Sequence, residues 1–359
     1  MKIIGKTRKP LMALVMMIAV IIPLAAAGAR EEVETAAETA ATVHYVDDLG
    51  REMDIPYPLE RLSPSGNLAQ MTMYALCPEK MVGLAKPLSK NAMDFMLDEI
   101  KDLPSFGNFF ASKGNINKEA LLMARPDAFI DVGEIKPNMA ESFKSLEDQL
   151  GIPVIFIEGF LENIGDTIRE LGRLTGLEER AEVLASYADR VVEFAIEKRG
   201  MIETPVTAYY SSSPDGLDGF PTGSFHGEIV EFVGLENVVP EGFSAGGNKI
   251  SIEQLLLWNP DIMLIQNEDA YRTITTDSRF SGLDAVKNDR VYLIPILPYP
   301  FLSNPPALNR LIGIFWLGKI SYPELYAEID IAEEMKVFYD LFYHYELTDP
   351  EIDMILNRI

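Results

Sequence analysis

The chain contains the stretch Ile116-Asn-Lys-Glu119-Ala-Leu-Leu-Met-Ala-Arg-Pro126-Asp127-Ala-Phe-Ile-Asp-Val132. A similar stretch follows 134 positions later, Ile250-Ser-Ile-Glu253-Gln-Leu-Leu-Leu-Trp-Asn-Pro260-Asp261-Ile-Met-Leu-Ile-Gln266. In each copy the spacing predicts a short helix that begins after a polar residue and ends before Pro-Asp, followed by a buried parallel strand. The period is too long for a solenoid and predicts two similar α/β lobes with a cleft between them. The alternative is a chance likeness, because such units are common in α/β proteins.

The N-terminal segment differs in composition from the rest of the chain. Four positive charges precede an uncharged apolar run at residues 11–26, and Ala27-Gly28-Ala29 follows. This pattern predicts a signal peptide over residues 1–29, with an uncleaved membrane anchor as the alternative. We therefore expect a periplasmic or extracytoplasmic location. No cysteine follows the apolar run, so a lipid anchor is not expected.

The charge and the cysteine usage exclude some classes of protein. The net charge is −24 for 359 residues and becomes −28 if residues 1–29 are removed. So acidic a protein is not expected to bind nucleic acid, which requires clustered lysine and arginine. Cys77 is the only cysteine, which excludes an internal disulfide, and we expect a buried thiol. A monomer is the expected state.

Local patterns divide the chain into segments. Residues 30–42 form an acidic low-complexity linker, 43–162 a first α/β lobe, 163–203 a long helical connection broken near Gly176, and 204–359 a second lobe. The second lobe is expected to end in helices from Pro306 onward. The predicted strands lie at 43–46, 51–56, 81–85, 128–132, 152–157, 206–210, 262–265 and 291–294, and a helix is predicted at 68–76.

Motifs along the chain carry a family resemblance. They include Asp47-Asp-Leu-Gly-Arg-Glu-Met-Asp-Ile-Pro56, Arg61-Leu-Ser-Pro-Ser65, Arg125-Pro-Asp127, Leu171-Gly-Arg-Leu-Thr-Gly176, Phe225-His-Gly-Glu-Ile-Val-Glu231, Ser251-Ile-Glu-Gln-Leu255, Ala285-Val-Lys-Asn-Asp-Arg-Val-Tyr292 and Pro306-Ala-Leu-Asn-Arg-Leu-Ile-Gly313. In type and order they resemble the metal-chelate-binding proteins of ABC importers, which include cobalamin-, ferric-siderophore- and haem-binding periplasmic proteins. The resemblance covers most of the chain after the linker.

The resemblance implies a class III periplasmic-binding-protein-like fold, with two similar α/β lobes joined by a long rigid helix and a ligand cleft between them. It also implies that Glu119 and Glu253 dock onto arginines of a membrane permease, one from each lobe. Each glutamate also suits the first turn of its helix, where the helix dipole favours an acid. No catalysis and no intrinsic cofactor are expected.

The nature of the ligand stays open at this stage. The chain has only His44, His226, His344 and one cysteine, which disfavours a site that binds a bare transition metal directly. A metal chelate such as a ferric siderophore is the first hypothesis, and a molybdate or tungstate oxyanion is the alternative. A secreted hydrolase is a third, and no Gly-x-Ser-x-Gly or zinc-protease histidine pair supports it.

Loops that follow predicted strands supply the candidate ligand residues, because open α/β sheets bind ligands at the carboxyl ends of their strands. The start of the first helix could bind an anion, although ordinary helix capping explains the same residues. His226 could equally have a structural hydrogen bond. The candidates are Ser65, Asn67, Lys86, Tyr209, Tyr210, His226, Arg272 and Tyr299.

Overall fold

The computed structural model describes residues 41–109, 116–243 and 249–356, so the predicted signal peptide and most of the predicted linker lie outside the described residues. The first part of the chain contains β1 (Ala41–Val46), β2 (Glu52–Tyr57), β3 (Leu62–Pro64), α1 (Asn67–Leu76), α2 (Lys90–Met93), α3 (Asp98–Lys101), α4 (Lys118–Met123), β4 (Ala128–Gly133), α5 (Met139–Leu150), β5 (Val154–Glu158), α6 (Ile164–Thr175) and α7 (Glu178–Gly200).

The second part of the chain contains β6 (Thr207–Ser211), α8 (Glu228–Phe232), β7 (Glu236–Asn237), α9 (Ile252–Trp258), β8 (Ile262–Ile265), α10 (Glu268–Thr276), α11 (Asp284–Lys287), β9 (Val291–Leu293), α12 (Arg310–Ser321), α13 (Ile331–Tyr343) and α14 (Asp349–Leu356). The region from Pro306 onward, where helices were expected, contains α12, α13 and α14. Within the described part of the chain, no helix has the length and apolarity of a membrane span.

Two parallel sheets form the centres of two lobes. The first sheet has the strand order β3-β4-β5 and the second has the order β7-β6-β8-β9. The strands β4 and β8 are buried along their whole length, as expected for parallel strands covered on both faces. The predicted N-terminal hairpin is confirmed by the antiparallel pair β1-β2. The α/β fold class with two lobes is therefore confirmed.

The sequence repeat corresponds to a structural repeat. In the first copy the Asn117 side chain accepts a hydrogen bond from the N–H of Ala120 and begins α4, and in the second copy Ser251 begins α9 in the same way. Each helix is followed by a left-handed residue before proline, Arg125 with φ 48° and Asn259 with φ 45°. The residue before proline is disfavoured in the right-handed helical region, so α4 ends at Met123, two residues before Arg125, and α9 ends at Trp258, directly before Asn259.

The aspartate of each Pro-Asp pair holds the start of the neighbouring strand. The Asp127 carboxylate accepts hydrogen bonds from the backbone N–H groups of Glu60 and Arg61, both at 2.9 Å, just before β3. The Asp261 carboxylate accepts from the N–H of Thr207 at 2.9 Å and from its hydroxyl at 2.8 Å, at the start of β6. These matching bonds explain why both copies of the repeat keep Pro-Asp.

Two sequence predictions differ from the structure. Residues 81–85 do not form a full strand, because Val82 donates its N–H to Leu62 while Leu84 donates to Pro104. The segment thus changes partner after two residues and makes only isolated bridges. In addition, β1 begins at Ala41, two residues before Val43, where the first lobe was predicted to begin.

The helical connection is broken where the sequence suggested. Gly176, with φ 69°, ends α6, and α7 begins at Glu178. The helix α6 packs against β5 and α1 of the first lobe, whereas α7 packs against both α6 and α12. At 1.5 Å per residue, α7 is about 35 Å long. The predicted connection at residues 163–203 thus contains two helices, of which α7 is the longer.

The C-terminal helices also join the two lobes. The helix α13 packs against α1 of the first lobe as well as against α12. At this contact the Tyr74 hydroxyl donates to the carbonyl of Tyr343 at 2.8 Å and accepts from the N–H of Leu97 at 3.1 Å. The His344 ring lies 3.1 Å from the carbonyl oxygen of Tyr74. The second lobe therefore contacts the first through α13 as well as through α7.

We expect Tyr74→Phe to lower the free energy of unfolding by about 1–3 kcal/mol, because it leaves two buried backbone groups without a partner. Urea denaturation followed by circular dichroism measures this change. Tyr345→Phe is the matched control, since the Tyr345 hydroxyl bonds only to Glu351 near the surface. Equal losses in the two variants would contradict a special role for the Tyr74 contact.

Candidate functional site

A cleft lies between the lobes at the carboxyl ends of the parallel strands. It has two connected halves, each with a volume of about 380 Å³, which share Asn67, Lys86, Asn304 and Pro305. The amide-rich half is lined by Asn67, Gln70, Met71, Lys86, Pro87, Ser89, Asn91, Ser212, Gln266, Asn267, Ile296, Pro298, Tyr299, Pro300, Asn304 and Pro305. The carboxylate half is lined by Ser65, Gly66, Asn67, Leu68, Lys86, Asn108, Asp131, Glu134, Lys136, Phe225, His226, Asn304, Pro305 and Pro306.

The start of α1 faces this cleft. Gly66 is the residue that precedes the helix, in an extended conformation, and no side chain caps the first turn. The Ser65 hydroxyl, which sequence reasoning considered as a possible cap, instead donates to the Asp131 carboxylate. The backbone N–H groups and the positive end of the helix dipole are thus directed to the cleft. Such a helix start favours a bound anion.

Lys86 is exposed in the cleft and lines both halves. Gln70 on α1 fixes the loop that carries it. The Gln70 side-chain oxygen accepts from the N–H groups of Ala85 at 2.8 Å and Lys86 at 3.0 Å, and its amide donates to the Lys86 carbonyl at 3.2 Å. No carboxylate in the described ranges lies within ion-pair distance of the Lys86 ammonium. Its charge therefore acts on the cleft without local neutralisation.

The amide-rich half has an unusual charge composition for this chain. The protein carries 55 aspartates and glutamates, yet none of them lines this half, and Lys86 is its one charged residue among the described lining. Its polar side chains are amides and hydroxyls that can donate hydrogen bonds, such as Asn91, Ser89 and Ser212. This half is therefore electropositive relative to the rest of an acidic surface.

The carboxylate half has a different character. Asp131 lies within β4 and is 7% exposed, and its carboxylate accepts the Ser65 hydroxyl. Burial raises the pKa of Asp131 to about 7, although the Ser65 hydrogen bond and the charge of Lys136 oppose the rise. Glu134 lies 3.7 Å from the Lys136 ammonium. The Asn108 side-chain oxygen is buried and has no hydrogen-bond partner among the described residues.

His226 has both a structural contact and access to the cleft. Its ring stacks on Phe220 with centroids 5.2 Å apart, and its Nδ1 lies 2.8 Å from the Ser303 hydroxyl. Burial lowers the pKa of His226, and the charges of Arg310 and Lys136 lower it further. The imidazole is thus favoured in its neutral form. It lines the carboxylate half alongside Phe225.

The structure places five of the eight candidate residues in the cleft lining, namely Ser65, Asn67, Lys86, His226 and Tyr299. The other three lie elsewhere. Tyr209 and Tyr210 are fully buried within β6, where Tyr209 donates to the Gly216 carbonyl at 2.9 Å. Sequence reasoning ended this strand too early, because β6 continues to Ser211 and Ser212 is the residue that reaches the cleft. Arg272 lies on α10, is exposed, and pairs with Glu268 on the same helix.

Several cleft residues were missed from the sequence. Gln266 and Asn267 follow β8 directly, and Gln266 stands where the first repeat has the apolar Val132, which was a usable signal. Asp131 was also missed, although a carboxylate inside an apolar strand is a usable signal. Asn304 had no local signal, because its position depends on how the proline-rich loop folds back over the cleft. Glu119 and Glu253 lie exposed in the first turns of α4 and α9, outside the cleft lining.

Metal ligands are not clustered in the described ranges. Within residues 41–109, 116–243 and 249–356, no group of three histidine, cysteine or acidic side chains is arranged to hold a metal ion. Cys77 is buried, as expected, and burial raises the pKa of its thiol. His44 is exposed on the hairpin beside Asp54, and His344 lies at the contact between α1 and α13. The cleft chemistry is therefore hydrogen bonding and charge.

The buried Asp131 carboxyl predicts a pH-dependent stability. Because its pKa is raised by folding, its ionisation destabilises the fold as the pH rises from about 4 through 7. Asp131→Asn removes this effect, so the variant should gain up to about 4 kcal/mol relative to the parent between pH 4 and pH 8. Urea denaturation at both pH values measures the change.

Asp98→Asn is the control for this measurement. The hydrogen bond from Lys101 lowers the pKa of the exposed Asp98 carboxyl, so any trend should have the opposite sign. A stability difference between Asp131→Asn and the parent that stays constant from pH 4 to pH 8 would refute the assignment of a raised pKa.

Comparisons with known proteins agree with this architecture. The family model described as periplasmic binding protein matches residues 106–296. The molybdate-binding protein MolA of Haemophilus influenzae is 25% identical over 330 residues, which cover 83% of this chain and 90% of that protein.

Solved structures are also similar to this chain. An ABC transporter solute binding protein from Sulfurospirillum deleyianum has a TM-score of 0.81 and 25% identity, covering 88% of this chain and 99% of the other. A periplasmic solute binding protein from Veillonella parvula has a TM-score of 0.73 and 25% identity, covering 88% and 97%. With its family match over more than half its length, the chain belongs to the periplasmic binding protein family that serves ABC importers.

Proposed function

We propose that this solute-binding protein captures a tetrahedral oxyanion of the molybdate or tungstate type in the amide-rich half of its cleft and delivers it to an ABC importer. The observation that carries the proposal is the charge composition of that half, which has Lys86 and no carboxylate in its described lining although the chain is strongly acidic. A doubly negative ligand would meet strong repulsion at most other surfaces of this protein.

The hydrogen-bonding groups of the amide-rich half suit such a ligand. A fully ionised oxyanion only accepts hydrogen bonds, so its site must supply N–H and O–H donors. Amide groups of Asn67, Asn91 and Gln266 line this half, and hydroxyl donors come from Ser89 and Ser212. The start of α1 adds backbone N–H groups. The similarity to MolA supports the same class of ligand.

A metal chelate, such as a ferric siderophore, is the second candidate, and the size of the cleft favours it. The two connected halves of about 380 Å³ each exceed what one tetrahedral oxyanion fills, since cavities from about 300 Å³ upward hold larger organic ligands. Tyr299 and Phe225 add aromatic surface, one in each half. An anionic chelate would use the same charge at Lys86. In either case the cleft would bind and release its ligand unchanged.

We further propose that Glu119 and Glu253 dock on the membrane component of the importer. Both are exposed, and they occupy equivalent positions on the two lobes. A hydrogen bond from backbone N–H and one from Ser251 lower the pKa of Glu253, which keeps this carboxylate ionised at neutral pH. Two acids at matching places suit a receptor that presents two cationic sites.

The ligand class is tested with the chain from residue 30 onward. We expect molybdate and tungstate to bind at one equivalent in native mass spectrometry and isothermal titration calorimetry, and sulfate and phosphate to bind more weakly. Ferric siderophores, haem and cobalamin complete the panel. Binding of a chelate without either oxyanion would refute the first proposal and support the second.

Lys86→Gln should weaken molybdate binding by about 10- to 100-fold, since a hydrogen bond to a charged group contributes about 1.5–3 kcal/mol. Lys90→Gln is the matched control, because Lys90 is exposed nearby at the start of α2 and does not line the cleft. Calorimetry on both variants at low ionic strength gives the dissociation constants. Equal affinities for Lys86→Gln and the parent would show that Lys86 does not contact the anion.

A further inference from the structure

Exposed apolar side chains occur in pairs at matching positions of the two lobes. On α4, Leu122 is 42% exposed and Met123 is 77% exposed. On α9, Leu256 is 36% exposed and Leu257 is 77% exposed. Each residue of one pair lies 134 positions from its counterpart in the other, the same interval that separates Glu119 from Glu253. The repeat therefore preserves solvent-exposed apolar residues that the core does not use.

The spacing places each apolar pair beside a carboxylate. In α4, Leu122 and Met123 follow Glu119 by three and four positions, and residues at these intervals share one face of a helix. In α9, Leu256 and Leu257 follow Glu253 at the same intervals. We define the two patches as Glu119 with Leu122 and Met123, and Glu253 with Leu256 and Leu257. Each patch thus combines one negative charge with two apolar side chains.

The carboxylates of the patches have no ion-pair partner among the described residues. Neither Glu119 nor Glu253 forms an ion pair with any lysine, arginine or histidine of residues 41–109, 116–243 and 249–356. The helices themselves are well anchored, because Asn117 and Ser251 cap them and the buried residues Leu121 and Leu255 attach them to their lobes. The patches are therefore presented in a fixed geometry, which lowers the entropic cost of binding a partner.

We propose that the two patches form a bipartite contact surface for the membrane component of the ABC importer, in which the apolar pairs supply most of the affinity. The partner would present, twice, a cationic side chain next to an apolar pocket. This inference rests on the docking role proposed for Glu119 and Glu253 and extends it. An exposed ion pair alone contributes little to affinity, whereas burial of exposed apolar side chains at an interface contributes much more.

Other exposed apolar residues, even where a carboxylate lies beside them, are single and have no counterpart in the other lobe. Val183 and Met201 on and after α7, and Val337 on α13, are 55%, 50% and 45% exposed. None of them lies in the repeated segment, and isolated exposed apolar residues are ordinary features of protein surfaces. They provide controls with similar exposure and chemistry.

The test uses the Met123→Ser, Leu257→Ser double variant of the full chain and nanodiscs that contain the importer with which the chain works. We expect the double variant to bind the nanodiscs about 100-fold more weakly than the parent by biolayer interferometry, and each single variant about 10-fold more weakly. The control variant Val183→Ser, Met201→Ser should bind like the parent. Parent-like binding of the Met123→Ser, Leu257→Ser variant, or no binding of the parent itself, would overturn the proposal.

Two further measurements separate the contribution of the carboxylates from that of the apolar pairs, and binding to the importer from binding of the anion. Glu119→Gln with Glu253→Gln should mainly slow association and reduce its dependence on salt, because surface charges steer encounter more than they hold the complex. If instead this variant loses as much affinity as Met123→Ser with Leu257→Ser, the apolar pairs are not the main source of affinity. Molybdate binding, measured separately by calorimetry, should be unchanged in every variant. A parent that binds the nanodiscs but not molybdate would refute the oxyanion proposal alone.

Discussion

The positions of both central strands depend on the carboxylates of Asp127 and Asp261. Each carboxylate accepts hydrogen bonds from the start of the adjacent strand, and each follows a proline that ends the preceding helix. Because the carboxylate ties two parallel strands together at their amino ends, it sets where their carboxyl ends meet the cleft. The same Pro-Asp corner, between the helix and the strand that follows it, also sets the position of the preceding helix on the surface. Both the ligand site and the proposed contact patches therefore follow from one short element used twice.

The two lobes are held together by more than the long helix. Besides α7 and the packing of α13 on α1, the Glu228 carboxylate of the second lobe accepts from the N–H of Leu161 in the first at 3.3 Å. The buried Arg310 donates to the same carboxylate at 2.6 Å. Phe160 and Phe225 pack edge to face across the lobes, with centroids 5.8 Å apart. These contacts favour small adjustments of the cleft over large hinge motion.

Much of the fold was predictable because it follows from local properties of the chain. Helix capping, the restriction before proline and buried apolar runs act over a few residues, and they located α4, β4, α9 and β8 correctly. The loop at residues 81–85 was predicted as a strand, because its apolar composition does not reveal that its hydrogen-bond partner changes halfway. The choice of a hydrogen-bonding partner depends on tertiary contacts, and the local composition of a segment does not reveal it.

The site was predictable only in part, for a related physical reason. Ser65, Asn67 and Lys86 were found because they lie directly at strand and helix ends, where the cleft had to be. Tyr209 and Tyr210 were assigned to the cleft because a strand buried on both faces has no alternation that marks its end. A difference of one residue at that end, Ser211 instead of Tyr210, was enough to place them in the core and not in the cleft. The position of Asn304 in the cleft lining depends on how the proline-rich loop folds, and no local sequence pattern indicates it.

The corner that precedes β4 and β8 also has an evolutionary consequence. It separates the helix that bears the surface patch from the strand end that lines the cleft, so substitutions after the strand leave the patch in place. Substitutions of Ser212, Gln266 and Asn267 would therefore alter the cleft lining without disturbing Met123 or Leu257. Under the two proposals above, a lineage built on this unit can acquire new nutrients while it continues to use the same importer.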